Sequence, residues 1–356
     1  MGGYFLSDFA IATIHAATAT GQHSSRAMPM ARANDTIISS MWGPHDLHAR
    51  AGRILLEAPI LSHLERQTFP LLPIDYTAAR CLAYSAIRRT AAIRLYLYNQ
   101  FPSNPDVRAY MTALVDDVCS HLPLYSLELE SMNFMGHAHE FHHEKDGIGL
   151  TALQDFLLSL CFCDSCVARA RADGLDIRPA QATVKRWLEE MCRQDAPPRS
   201  DAQFMAQGLA FFRDAPEVYA YLQWRSTVVT SLMHEVHSAV GGRSKVYFLS
   251  LLPHSRSWLF GVDLKAISAL CEGAVVCCYD STAKQAQADL AESRRDFAPG
   301  AQLLAGMRCF MPEYADAQAF AEKVRAARGE GVDGYLFYNY GLIPPAHLRW
   351  VGTAQE

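Results

Sequence analysis

From residue 92 onward, short unbroken apolar runs alternate with stretches whose apolar positions recur every three or four residues. The runs read as strands and the recurring stretches as amphipathic helices. Strands are predicted at Ile93–Tyr98, Leu124–Glu130, Lys245–Leu252, Ala274–Tyr279, Gln302–Arg308 and Gly334–Tyr338. Helices are predicted from Asp106 to about Ser120, from about Leu150 to Ala172, and on to about Val240 with a break at Ala196-Pro-Pro-Arg-Ser200. Further helices follow at Asp263–Glu272, Ser281–Phe297 and Ala315–Gly329. Pro105 and Asp106 suit the first turn of the first of these.

Strands that are apolar throughout are covered on both faces, which is the habit of a parallel sheet. Five or six strand–helix units therefore predict an α/β fold, a (β/α)8 TIM-type barrel with a helical insertion at about 150–240 after the fourth strand. Residues 1–91 read differently. They are rich in Ala, His and Ser and show neither period well, and no Lys occurs before residue 91. This atypical segment stands where strands one and two are expected, so the barrel domain is drawn at 92–352 with an irregular or incomplete N-terminal part. No Gly-rich phosphate turn opens any helix, which disfavours a nucleotide-binding fold.

Composition narrows the function. The chain has 356 residues, half of them apolar, enough for one large α/β domain. Its net charge of −5 gives no footprint for nucleic acid or for an anionic membrane. Ten Cys in a chain this long do not make a disulfide scaffold, and a reducing, cytoplasmic setting is expected. No apolar stretch is long enough for a bilayer, and the opening residues lack the basic start of a signal peptide.

The densest chemistry lies at Cys161-Phe162-Cys163-Asp164-Ser165-Cys166. Three thiols at C-x-C-x2-C spacing can converge on one soft metal ion, with a structural zinc the commonest case. No second C-x2-C supplies a fourth thiolate. The alternative is that these Cys are small buried hydrophobes, as Cys277 and Cys278 are expected to be within their strand.

Carboxylates give a second candidate site. Ser126, Glu128 and Glu130 share one side of their strand, while Leu127 and Leu129 take the other. Glu130 ends the strand, at the edge where parallel barrels carry their active sites. Shielded by Phe134 and Met135, it can serve as a general acid. Paired acid/base chemistry needs a second carboxylate, and Asp280 and Glu313 both follow strand ends. The competing reading pairs Glu128 and Glu130 with an inward Arg such as Arg308.

Beyond Glu130 the run His137-Ala-His139-Glu-Phe-His142-His143-Glu144 offers either a metal site or a polar rim for sugar hydroxyls. A His from this loop could also join the three thiols. Tyr279, Trp258, Tyr314, Tyr338 and Tyr340 offer faces on which a sugar ring could stack. The substrate-binding candidates are Glu128, Asn133, His137, His139, Trp258, Asn339 and Tyr340.

A family resemblance rests on four pieces of sequence. They are Tyr98-Asn-Gln-Phe-Pro-Ser-Asn-Pro-Asp-Val-Arg-Ala-Tyr110, the Glu-ended strand, Cys-Phe-Cys-Asp-Ser-Cys, and the closing Tyr338-Asn-Tyr-Gly341. Together with Trp224-Arg225 and Asp263-Leu264 they resemble the glycoside-hydrolase-like barrels, namely the hypothetical glycosyl hydrolases and, more distantly, the family 42 β-galactosidases. The resemblance covers roughly 92–352. It implies carboxylate acid/base cleavage of a small glycoside or oligosaccharide, with Glu130 as acid/base and Asp280 or Glu313 as nucleophile or stabiliser. In family 42 a Cys before the Pro turn completes a zinc site. The matching residue here is Phe101, so the resemblance implies an incomplete site. That family also has Asn-Glu where this chain has Leu129-Glu130, which implies different handling of the sugar. Two other functions stay open: a non-catalytic module binding carbohydrate or a partner, and a metal-dependent hydrolase built on the His137–Glu144 loop.

Overall fold

The structure is a computed structural model, and it describes residues 14–18, 102–122, 124–134, 150–191, 200–279, 282–309, 314, 316–338 and 343–355. Six strands form one sheet in chain order. They are β1 (Ile14–Thr18), β2 (Leu124–Leu129), β3 (Lys245–Ser250), β4 (Gly273–Cys277), β5 (Gln302–Arg308) and β6 (Gly334–Tyr338). The pairs from β2 to β6 are parallel, whereas β1 runs antiparallel to β2.

The closed (β/α)8 barrel expected from the strand–helix rhythm is thereby corrected. The described residues form a half-barrel of five parallel strands with an antiparallel edge. A closed (β/α)8 barrel has eight parallel strands, each paired on both sides in one continuous ring. Here the outer edge of β2 is taken by β1 running the opposite way, and among the described residues β6 is the last strand of the sheet. Counting βα units could not reveal this, because the fate of an edge lies in long-range pairing. The strand expected at Ile93–Tyr98 lies outside the described residues.

Each parallel strand follows a helical connection, and the longest joins β2 to β3. It holds the helices Ala152–Leu158, Asp164–Ala172, Arg178–Met191, Ser200–Gln207 and Pro216–Val240. The single helix expected over about 150–172 is two. Thr151 opens the first with a capping box shared with Gln154. The chain then leaves the helix at Ser159, runs extended through the thiols, and restarts with Cys163 as the N-cap of Asp164–Ala172. On the other side of β2, the helix Pro105–His121 starts where Asn104 accepts hydrogen bonds from the amides of Asp106 and Val107. Its buried Arg108 forks onto Glu235 of Pro216–Val240 at 2.6 Å and 2.9 Å, locking the two helices together.

The two faces of the sheet differ as strand alternation requires. Leu127, Leu129, Val246, Phe248, Ala274, Val276, Leu303, Ala305 and Met307 join the helices in the main core. The opposite, concave face carries a small apolar patch of Leu249, Val275 and Cys277, flanked by Leu251, Tyr279, Leu304 and Leu336. Among the described residues no helix is long and apolar enough to cross a membrane.

Candidate functional site

Register places Glu128 on the concave face. Glu128 pairs with Tyr247, and the same row continues through Gly273 to Gln302. Two residues further along, Glu130 follows the end of β2, on the side of the sheet where Tyr279, Arg308 and Tyr338 stand at the ends of their strands. Arg308 and Tyr338 are direct partners between β5 and β6. The Arg308 guanidinium lies 4.6 Å from the centroid of the Tyr279 ring, and the Tyr279 and Tyr338 rings are 5.7 Å apart. Cation, aromatic rings and carboxylates therefore meet at one rim.

The electrostatics tie these groups into one site. Burial first, and then the neighbouring Glu130 charge, together raise the Glu128 carboxyl from its usual 4.5 to about 7. Its Oε2 is buried and has no hydrogen-bond partner among the described residues. Burial likewise pushes the Cys277 thiol up to about 12, while a hydrogen bond with Tyr279 opposes the shift and Glu130 adds to it. The Tyr279 hydroxyl is raised by burial, by Cys277 and by Glu130. A buried, proton-holding carboxyl beside a second carboxylate can give and take protons near neutral pH.

The chain turns sharply after Glu130. Ser131 adopts a positive φ of 61°, and the amide of Phe134 donates to the Phe260 carbonyl at 3.1 Å. Asn133, between them, is 1 % exposed, and its amide oxygen and nitrogen have no partner among the described residues. Trp258 lies elsewhere. Its ring packs at 5.1 Å from Phe156, 6.1 Å from Phe204 and 6.3 Å from Phe212, an aromatic cluster of the helical layer. Asp280, Glu313, His137, His139, Asn339, Tyr340 and Phe101 lie outside the described residues. The chain leaves the description one residue beyond Tyr279, and again one residue beyond Cys309.

The three thiols do converge. The sulfurs of Cys161, Cys163 and Cys166 all lie within 4.8 Å of one another, a group that can hold a metal ion. Tyr221 stacks on Phe162 at 4.6 Å and donates its hydroxyl to the Cys161 carbonyl at 2.6 Å, which fixes the extended turn. Cys163 is the member that ionises, because hydrogen bonds from the Cys161 and Cys166 thiols favour its thiolate and the amides of Cys166 and Ser165 assist. Cys161 is raised, first by its hydrogen bond to Cys163. For Cys166 the bond with Cys161 lowers the pKa, but the bond to Cys163 and burial outweigh it and leave the thiol raised. Together the three sulfurs would supply three of the four ligands of a structural zinc ion.

Two participants escaped the sequence. Cys277 reads as strand core, yet its parity puts it on the concave face beside Tyr279. Ser103 sits in the Pro-Ser-Asn-Pro turn, and its hydroxyl lies 2.8 Å from the Cys166 sulfur. The signal for Cys277 was strand parity; for Ser103 nothing local could give it.

Neither the scan against protein-family models nor the search of curated proteins returns a match for this chain.

Proposed function

We propose that the concave rim cleaves glycosidic bonds, with Glu130 as acid/base and Asp280 or Glu313 as the second carboxylate. The observation that carries this reading is Glu130 at the C-terminal end of a parallel strand, with the proton-holding Glu128 one layer deeper on the same face. Ligands of parallel α/β sheets bind at that edge. Tyr279 and Tyr338 give a ring face for a sugar, and the resemblance to glycoside hydrolases points the same way. The substrate is a small glycoside or oligosaccharide. Glu128 keeps a neutral carboxyl that can donate to a hydroxyl, while Glu130, ionised beside it at rest, takes up a proton on substrate binding and delivers it to the leaving oxygen.

The thiol cluster is read as a structural zinc site in a protein of the reducing cytoplasm. Three converging sulfurs support the metal, and eight free Cys among the described residues support the compartment. Bound zinc would cross-link the turn 161–166 without entering the reaction. Metal analysis of the purified chain and of Cys163→Ser tests this part.

A panel of aryl glycosides, assayed with and without chelator, tests the activity. Turnover that survives chelation supports the carboxylate reading. Turnover that needs metal transfers the chemistry to the His137–Glu144 loop. Sugar binding without cleavage leaves a binding module.

A further inference from the structure

We propose that Cys163 and Cys166 form a dithiol that exchanges with small-molecule disulfides, closing into a disulfide across the first turn of the helix Asp164–Ala172. The inference is independent of the glycosidase reading and uses none of its residues.

The geometry carries it. Cys163 is the N-cap of that helix and Cys166 lies in its first turn, so two residues separate thiols whose sulfurs are within 4.8 Å. One helical turn brings such Cα atoms to about 5–6 Å, inside the range a disulfide spans. A Cys-x-x-Cys opening a helix is the arrangement that dithiol oxidoreductases use. Access differs across the pair. Cys163 is partly exposed, whereas Cys166 is fully buried and its sulfur meets the hydroxyl of Ser103 at 2.8 Å. A solvent-borne disulfide therefore reaches Cys163 first, and Cys166 can react only with what Cys163 has captured. Cys161 is a poorer partner for Cys163, because one intervening residue in extended backbone would have to kink to close the ring.

The exchange is balanced as follows. The Cys163 thiolate attacks one sulfur of the small disulfide, a mixed disulfide forms, and one small thiolate leaves. Cys166 then loses its proton and attacks the Cys163 sulfur, releasing the second small thiolate. Two protein thiols are oxidised, and one disulfide is reduced to two thiols. A metal ion held by the same sulfurs blocks the first attack, so metal and disulfide exclude each other.

The test uses the full-length chain, as purified and after chelation, incubated with glutathione disulfide and checked for native circular dichroism. The chelated protein is expected to lose two titratable thiols, and peptide mapping to place the bridge between Cys163 and Cys166. In Cys166→Ser, a single glutathione adduct should accumulate on Cys163, because the resolving sulfur is gone. Folded, chelated wild-type protein that keeps all its thiols overturns the proposal. So does a bridge that joins any other pair.

Discussion

The hydroxyl of Ser103 lies 2.8 Å from the sulfur of Cys166, sixty-three residues later in the chain. Both side chains are buried. This bond ties the turn before the helix Pro105–His121 to the thiol cluster, and the Pro102 carbonyl is held in turn by Arg108 at 2.8 Å. The family that the chain resembles has a metal-ligating Cys just before that turn, where this chain has Phe101; among the described residues of the turn, it is the Ser103 hydroxyl that reaches the sulfurs. Ser103→Ala removes one partner of a buried pair and is expected to lower stability by about 1 kcal/mol. Urea midpoints of the two proteins check the value. An unchanged midpoint would show that the contact does not hold the turn.

A second expectation follows from the turn that seats Phe134. Gly261 has a φ of +68°, and a Cβ there would come within 2.9 Å of the Phe134 ring and 3.2 Å of the Arg225 Cβ. Phe134 is fully buried and stacks on the Arg225 guanidinium at 4.6 Å, so it has little room to yield. Gly261→Ala should therefore cost about 2–4 kcal/mol, from backbone strain and overpacking together. Gly174 is the control, with a φ of +81° and nothing within 4 Å of the added carbon. Gly174→Ala should cost only about 1 kcal/mol. Equal losses at the two positions would remove packing from the explanation.

Much of the sheet was legible because its strands are apolar runs between clear helical stretches. Gln302–Arg308 and Gly334–Tyr338 fall where the pattern puts them. Parity within β2 also held: Leu127 and Leu129 are buried in the main core, and Glu128 takes the other face. What the pattern could not show was how the sheet ends. The antiparallel pairing of Ile14 with Leu129 joins residues over a hundred positions apart, and no local period encodes it. Nor could the pattern show that the Trp258 ring packs against Phe156, Phe204 and Phe212 of the helical layer, all far from it in sequence. The thiols were legible because their spacing is local. Their contact with Ser103 was not.

For the glycosidase reading, Glu130→Gln keeps the shape of the side chain and removes the transferable proton. Turnover of glycosides with poor leaving groups should fall by roughly 100-fold or more, since general acid catalysis contributes on that order. Activated aryl glycosides, whose leaving group needs little protonation, should lose much less. The comparison of kcat for the two substrate classes decides the point. Equal losses would make Glu130 a binding or folding residue rather than the acid.

Glu128 gives a pH-dependent prediction whose sign can be worked out. Its carboxyl titrates near 4.5 when unfolded and near 7 in the folded chain, raised by burial and by Glu130. Between these values the folded state holds a proton that the unfolded state has released. Stability from this group is therefore complete below about pH 4.5 and is lost as pH rises through 7. The full swing corresponds to about 3 kcal/mol. Glu128→Gln fixes the side chain in a neutral form, so it should remove this dependence. Relative to wild type, the variant should gain stability between pH 5 and pH 8, by up to about 3 kcal/mol at the upper end. Urea unfolding of both proteins at the two pH values measures the difference. A wild-type-minus-variant difference that stays flat across the window would mean that Glu128 is ionised in the folded protein, and its place as the neutral partner of Glu130 would go with it.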